Sequence, residues 1–171
     1  MADERKRKGG GGKLTRSQTV TVRLDPKLRY LAELAARQQR RTVSSYVEWA
    51  IEDSLNRVYL DSNNTIGELG SYLWDVDEPD RFAKLALTNE YLLTHEEQVL
   101  WKLIRETGHI WKGHQNADGE WKWSVREQSL IWDHLRKNWE NFKSVASGKE
   151  SRDILPKTSQ KPPEFDDDVP F

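Results

Sequence analysis

Apolar and polar residues alternate with a period of two over residues 19–24, which read Thr-Val-Thr-Val-Arg-Leu. This period predicts a β-strand with one apolar face and one polar face. After this stretch, apolar residues recur every three or four positions, which predicts two amphipathic helices. Asp25 and Pro26 favour the start of the first helix as its N-cap and first helical residue, and Thr42 is expected to cap the second. Residues 19–57 are therefore predicted to form one strand followed by two helices.

A single strand cannot stand alone, because its backbone donors and acceptors need a partner strand. About forty residues are also too few for an independent hydrophobic core. Both needs are met if two copies pair their strands antiparallel and pack their helices together. With the strand Val20–Leu24, the helix start Asp25-Pro26, and Arg41–Val47 leading to Ala50, residues 19–57 resemble the ribbon-helix-helix family of DNA-binding proteins, the Arc- and MetJ-like repressors. The resemblance implies a dimerising, DNA-binding unit over residues 19–60.

The resemblance also implies which residues contact DNA. Thr19, Thr21 and Arg23 of both copies are expected to enter a major groove, where Arg binds guanine bidentately and Thr contacts a thymine methyl or a phosphate. The start of the second helix offers free amides and a positive dipole to a phosphate. The residues expected there are Arg41, Thr42, Val43 and Ser44. The alternative is that the three strand residues only mark a solvated strand face. The family often has Gly before the second helix, where this chain has Arg40-Arg41.

The charge of the chain changes along its length. Residues 1–57 hold 13 Lys and Arg against 7 Asp and Glu, a net charge of +6, so the remaining residues carry −7 within a total of −1. Residues 1–18 contain Arg5, Lys6, Arg7 and Lys8 followed by four glycines, and are expected to form a flexible basic arm. Beside a DNA-binding unit, those four basic residues are expected to contact phosphates or a minor groove. The alternative is a solvated tail that only aids solubility.

Composition excludes several classes of site. The 171 residues include no Cys, so disulfides and thiolate sites are excluded. No apolar run approaches the roughly 18 residues of a membrane span, and no signal peptide is expected, which favours a cytoplasmic protein. The sequence has neither tightly spaced carboxylates, a Walker glycine loop nor a nucleophile–base signature. No catalytic residue, metal or cofactor is therefore expected, and a metal nuclease built on His109, His114 and His134 is the enzymatic alternative.

A break at Asp61–Asn64 ends the second helix near Leu60. Residues 65–147 follow as a Trp-rich region that is predicted to be a separate small domain. Apolar spacing predicts short helices over residues 66–73 and 79–87.

Two patterns in this region match capping boxes. Thr94–Glu97 predicts a helix that stops at Gly108, and Ser124–Glu127 predicts a second helix whose apolar face runs from Trp132 to Ala146.

A β-hairpin is predicted between residues 110–112 and 120–123, around the turn Asn116–Gly119. Its tryptophans alternate with lysines, a combination that stacks on bases in single-strand binders. The residues in question are Trp111, Trp121 and Trp123 with Lys112 and Lys122. The Trp face on the following helix would equally suit pairing with another copy. The favoured interpretation is that the tryptophans fill the core of a small domain.

Residues 148–171 lose periodicity and contain several prolines, which predicts a disordered linker with an acidic docking tip. Its last residues are Glu164, Phe165, Asp166, Asp167, Asp168, Val169, Pro170 and Phe171. They resemble the tip of bacterial single-stranded DNA-binding protein, with Val169 in place of the family's Ile. The resemblance implies that Phe171 fills an apolar pocket, that its carboxylate meets an Arg, and that the aspartates lie over a basic rim. The alternative is a generic acidic tail.

Together these patterns predict a mainly α protein: a dimerising ribbon-helix-helix unit, a Trp-rich helical domain with a hairpin, and a disordered acidic tail. The favoured function is a dimeric duplex-DNA-binding protein, encoded by a plasmid, phage or other mobile element, whose tip recruits or blocks host replication or repair proteins. The tip partners that the resemblance implies are an exonuclease, a helicase, a recombination mediator or a clamp-loader subunit. The alternatives are an ordinary autorepressor and an interaction or inhibitor module that uses the Trp-rich domain.

Overall fold

The computed structural model describes residues 19–157, so the predicted arm over residues 1–18 and the stretch 158–171 lie outside it. The described residues form six α-helices and one two-stranded antiparallel sheet, which confirms a mainly helical fold with a small hairpin. The chain divides into two compact units between Val58 and Tyr59. We call them the N-terminal unit and the Trp-rich unit. No helix within the described range is both long and apolar enough to cross a membrane.

The N-terminal unit contains two helices of equal length, α1 (Pro26–Gln38) and α2 (Val43–Leu55). The Asp25 carboxylate caps α1 by accepting hydrogen bonds from two backbone amides at 3.0 Å. The Thr42 hydroxyl caps α2 by accepting from the Ser45 amide at 3.1 Å. Both predicted N-caps are therefore confirmed.

The two helices are flanked by residues 19–24 and by the loop that follows α2. Residues 19–24 form neither a helix nor a strand in the single chain. The partner strand that the predicted ribbon needs would come from a second copy, so the ribbon stays a prediction. The second helix ends at Leu55 and not near Leu60 as predicted. The helical hydrogen bonding gives way there to a tighter turn, since Arg57 N donates to Ser54 O at 3.0 Å.

The Trp-rich unit contains four helices and a hairpin. In chain order they are α3 (Ile66–Leu73), α4 (Glu78–Thr88), α5 (His95–Glu106), β1 (Gly113–Gln115), β2 (Trp121–Trp123) and α6 (Trp132–Ala146). The core lies where α4, α5 and α6 meet. Trp101 and Trp111 are 1% exposed, and Trp101 contacts both Phe82 and Trp111 edge to face at 6.2 and 6.1 Å. The interpretation of these tryptophans as core residues is supported by this burial.

One predicted capping box is confirmed and the other is wrong. Thr94 caps α5, with its hydroxyl 3.3 Å from Glu97 N and the Glu97 carboxylate 2.8 Å from Thr94 N. Ser124 caps no helix, because its hydroxyl pairs with the Ser129 hydroxyl at 3.0 Å. The Glu127 carboxylate is held by the Tyr72 hydroxyl at 2.9 Å, and α6 starts only at Trp132.

That Tyr72–Glu127 contact joins α3 to the loop before α6. Burial, with the hydrogen bond to Glu127, raises the pKa of Tyr72 to about 12. The helix predicted over residues 66–73 is confirmed as α3, but the sequence patterns missed its capping box, in which Thr65 and Glu68 exchange hydrogen bonds.

The hairpin forms, but its first strand is displaced from the predicted residues 110–112. Strand β1 pairs antiparallel with β2, with Gly113 opposite Trp123. Residues 108–110 form a 3₁₀ turn, and Trp111 makes an isolated bridge to Leu130. Gly113 permits this register, since a Cβ there would come within 2.7 Å of the Trp121 indole nitrogen.

The Trp-rich unit extends beyond the predicted boundary at residue 147. Leu155 is buried and belongs to the core cluster, after a 3₁₀ turn over Arg152–Ile154. The Arg152 guanidinium also pairs with Glu106 at 2.7 Å. Residues 148–157 are therefore part of this unit and not of the predicted linker.

Candidate nucleic-acid and dimerisation surface

The N-terminal unit exposes most of its large apolar side chains. Ala36 is its one buried residue in the described range. Four leucines form what we call the apolar stripe, one in the predicted ribbon and three at helical spacing on α1, and they are 39–50% exposed. These residues are Leu24, Leu28, Leu31 and Leu34. Val20 and Val22, on the apolar side of the predicted ribbon, are 81% and 66% exposed. An exposed apolar set of this size is typical of an association surface.

The turn between α1 and α2 has the backbone shape that glycine usually supplies. Arg40 adopts a left-handed conformation with φ 55°. The Arg41 amide donates to Ala36 O at 2.9 Å and the Arg40 amide to Arg37 O at 3.0 Å. This pair of bonds is a Schellman motif, in which the left-handed position is most often Gly. The chain therefore makes the expected tight turn despite lacking that Gly.

The start of α2 presents unused donors. Thr42 serves as the N-cap through the Ser45 amide, and the amides of Val43 and Ser44 have no acceptor in the described part of the chain. All four residues predicted to contact phosphate here, Arg41 to Ser44, are exposed. The guanidinium carbon of Arg41 lies 5.4 Å from the centre of the Trp49 ring.

The predicted base-reading residues Thr19, Thr21 and Arg23 are also exposed. Two arginines of the unit are held in i,i+4 ion pairs, Arg29 with Glu33 on α1, and Arg57, just after α2, with Asp53. Within residues 19–58, the cations outside any ion pair are Arg23, Lys27, Arg37, Arg40 and Arg41. The predicted contacts Arg5, Lys6, Arg7 and Lys8, and the docking tip over residues 164–171, lie outside the described residues.

Two of the four histidines, His109 and His134, form a stacked pair. The rings of His109 and His134 are 4.4 Å apart and nearly parallel, and His134 Nδ1 lies 2.9 Å from the His109 carbonyl oxygen. Burial, with the neighbouring His134, lowers the pKa of His109. Between residues 19 and 157, the one cluster of three potential ligands contains no histidine. The structure therefore does not bring His109, His114 and His134 together as a cluster of three in the described part of the chain.

That one cluster consists of Asp75, Asp77 and Asp80. Its charges already have protein partners: Arg136 binds Asp80 with two hydrogen bonds at 3.0 and 2.6 Å, and Lys84 binds Asp75 at 2.9 Å. The Lys84 hydrogen bond lowers the pKa of Asp75. The cluster thus stabilises the packing of α4 against α6.

The hairpin tryptophans are unsuited to stacking on bases as a set. Trp111 is buried and its indole donates to Ile104 O at 2.9 Å. Trp123 is half-buried and donates to Arg105 O at 3.0 Å.

A shallow cavity of about 430 Å³ also lies between α4, α5 and α6, lined by Phe82, Leu100 and Trp139 among others.

Two residues of the candidate surface were missed by sequence reasoning, Arg40 and Trp49. No local pattern gives the contact between Trp49 and Arg41, because Arg41 precedes the N-cap Thr42 and lies outside α2, whereas Trp49 lies within that helix. No protein-family model, curated protein or solved structure matches this chain.

Proposed function

We propose that this protein is a dimeric duplex-DNA-binding protein with a ribbon-helix-helix unit over residues 19–60, whose residues 164–171 dock on host replication or repair proteins. The observation that carries the proposal is the exposed apolar stripe, which lies directly beside a predicted ribbon that also needs a partner.

A second copy of the chain is the partner that satisfies both needs. Burying the exposed half of one leucine is worth roughly 1 kcal/mol. The stripe with Val20 and Val22 would therefore contribute on the order of 10 kcal/mol per dimer, before the entropic cost of association. Antiparallel pairing of two ribbons would also satisfy the backbone groups of residues 19–24.

In such a dimer, Thr19, Thr21 and Arg23 of both copies face a major groove, and Arg41 to Ser44 contact flanking phosphates. Their exposure and the two unused amides of α2 support this assignment. The basic residues Arg5 to Lys8 add phosphate contacts that salt weakens.

The docking half of the proposal rests on residue order. Three aspartates stand between Phe165 and the sequence Val169-Pro170-Phe171, so the segment combines an aromatic anchor with charge for a basic rim. The proposed partners are an exonuclease, helicase, recombination mediator or clamp-loader subunit in the cytoplasm of a bacterium that carries a mobile element. The protein acts by binding, without catalysis or cofactor.

The DNA-binding half is tested by titrating a labelled duplex at several salt concentrations. Arg23→Ala is expected to cost about 1–3 kcal/mol of specific binding once a preferred site has been selected. Arg126→Ala, an exposed arginine in the Trp-rich unit, is the matched control and should bind as the parent does. Equal affinity of Arg23→Ala and Arg126→Ala would contradict the ribbon assignment.

The docking half is tested with a purified tip-binding exonuclease or helicase. Removal of Pro170 and Phe171 is expected to abolish this binding and to leave duplex binding intact. Ser159→Ala, in the same segment, serves as the control. Partner binding that survives the removal would show that the tip is not the docking element, and an autorepressor without host partners would then be the better description.

A further inference from the structure

The side chain of Arg41 is held in place at the start of α2. Its backbone is fixed because its amide donates to Ala36 O at 2.9 Å, and the next residue, Thr42, is the N-cap. Its guanidinium carbon lies 5.4 Å from the Trp49 ring centre, which is within the range of a cation–π contact. Trp49 is itself half-buried and packs against Tyr46 with ring centres 5.7 Å apart.

The guanidinium has no acidic partner in the described chain. Among residues 19–157, no carboxylate lies within ion-pair distance of Arg41, and Asp53 on the same helix is taken by Arg57. A guanidinium that rests on an aromatic face uses its flat side for that contact and keeps its N–H edge free. Arg41 is therefore oriented and free to bind an anion.

We infer that Trp49 is a positioning residue that orients Arg41 toward a DNA phosphate. This inference rests on the proposed DNA-binding function. Trp49 does not touch the phosphate; it reduces the number of rotamers that Arg41 must give up on binding. Leu at position 49 would keep the apolar packing but remove the aromatic face, whereas Phe would keep a smaller one.

The test is a double-mutant cycle read by duplex affinity, with a fluorescent mixed-sequence duplex as the probe. Trp49→Leu is expected to weaken binding about two- to fivefold for each Arg41 engaged, and Trp49→Phe to recover most of this loss. In the Arg41→Ala background, Trp49→Leu should have no further effect. Arg37→Ala, an exposed α1 arginine without a ring contact, is the control for general loss of positive charge.

The salt dependence separates positioning from contact. Arg41→Ala should reduce the slope of log affinity against log salt by about one per phosphate lost. Trp49→Leu should lower affinity with the slope largely retained, because the charge is still present. A purely structural role for Trp49 would not depend on Arg41 in this way.

Helicity and sedimentation identify a variant that fails to fold. If Trp49→Leu fails to fold, the duplex affinity of Trp49→Phe tests the inference in its place. The NMR ring-current shift of the Arg41 Nε–H proton is a second measurement, expected in the parent and absent in a variant without the contact. Equal losses from Trp49→Leu with and without Arg41 would overturn the inference alone. A parent protein that binds no duplex would overturn the proposed function and this inference with it.

Discussion

The ion pair between Asp80 and Arg136 offers the sharpest test of the fold of the Trp-rich unit. The Asp80 carboxylate is only 5% exposed, and it accepts hydrogen bonds from Arg136 Nε at 3.0 Å and from Nη2 at 2.6 Å. The pair joins the first turn of α4 to α6. The hydrogen bond to Asp80 is the main cause that raises the pKa of Arg136 above its ordinary value, so the guanidinium stays charged.

Replacing Arg136 by Ala leaves a buried carboxylate without its partner. Breaking a fully buried pair in this way costs about 3–5 kcal/mol. Because the Arg136 side chain is 41% exposed, water can screen the remaining carboxylate, and we expect a loss of roughly 2–3 kcal/mol. Adding Asp80→Asn should recover part of this loss, since it removes the uncompensated charge while keeping the shape of the side chain.

The free energy of unfolding would be measured with urea, following tryptophan fluorescence. Arg152→Ala is the matched control, since its ion pair with Glu106 is exposed on both sides and is expected to be worth less than about 1 kcal/mol. An Arg136→Ala variant no less stable than Arg152→Ala would refute the reasoning, as would a double variant that recovers nothing.

Three further predictions concern other parts of the molecule. Arg40→Gly should stabilise the N-terminal unit by about 1 kcal/mol in thermal unfolding, because glycine adopts the left-handed conformation without strain; a lower melting temperature would contradict the Schellman turn. Trp101→Ala should lower the free energy of unfolding in urea by about 3–5 kcal/mol, since it leaves a cavity in the core. A smaller loss of stability than that of Tyr91→Ala, the control at an exposed position, would place the core elsewhere. Because the pKa of His109 is lowered, the folded state binds a proton there less readily than the unfolded state, so the stability that His109 contributes is full above its ordinary pKa of 6.5 and is lost as pH falls through the lowered value. His109→Phe should therefore flatten the dependence of the urea midpoint on pH between these two pKa values. An unchanged pH profile would count against the buried histidine stack.

Local sequence patterns correctly predicted the helix N-caps that depend only on neighbouring residues. Asp25, Thr42 and Thr94 each cap a helix by a hydrogen bond to an amide two or three residues away, and the sequence contains everything needed to place them. Ser124–Glu127 has the same local pattern, but its Glu is taken by Tyr72, which lies 55 residues away in the sequence. A capping box can therefore be disabled by a distant side chain, and no local pattern records this.

The candidate surface was predictable to a similar extent. Thr19, Thr21 and Arg23 are exposed, but so are Val20 and Val22 on the opposite face, so strand alternation stays a prediction. The left-handed Arg40 goes against the ordinary preference for Gly. The displaced strand of the hairpin has a tertiary cause, because Trp111 packs inward onto α5 and cannot also serve in the outer ladder. Periodicity gives no warning of such a contact.

The anchoring of Leu155 limits how far the proposed docking tip can reach. The proposed anchor Phe171 lies fourteen residues beyond Lys157, the last described residue, and a fully extended chain covers at most about 3.6 Å per residue. The segment between them can therefore span at most roughly 50 Å. A partner docked on the proposed tip would stay within that distance of the point where the chain leaves the Trp-rich unit, so the surface of that unit and the tip sequence would both bear on which partner is accommodated.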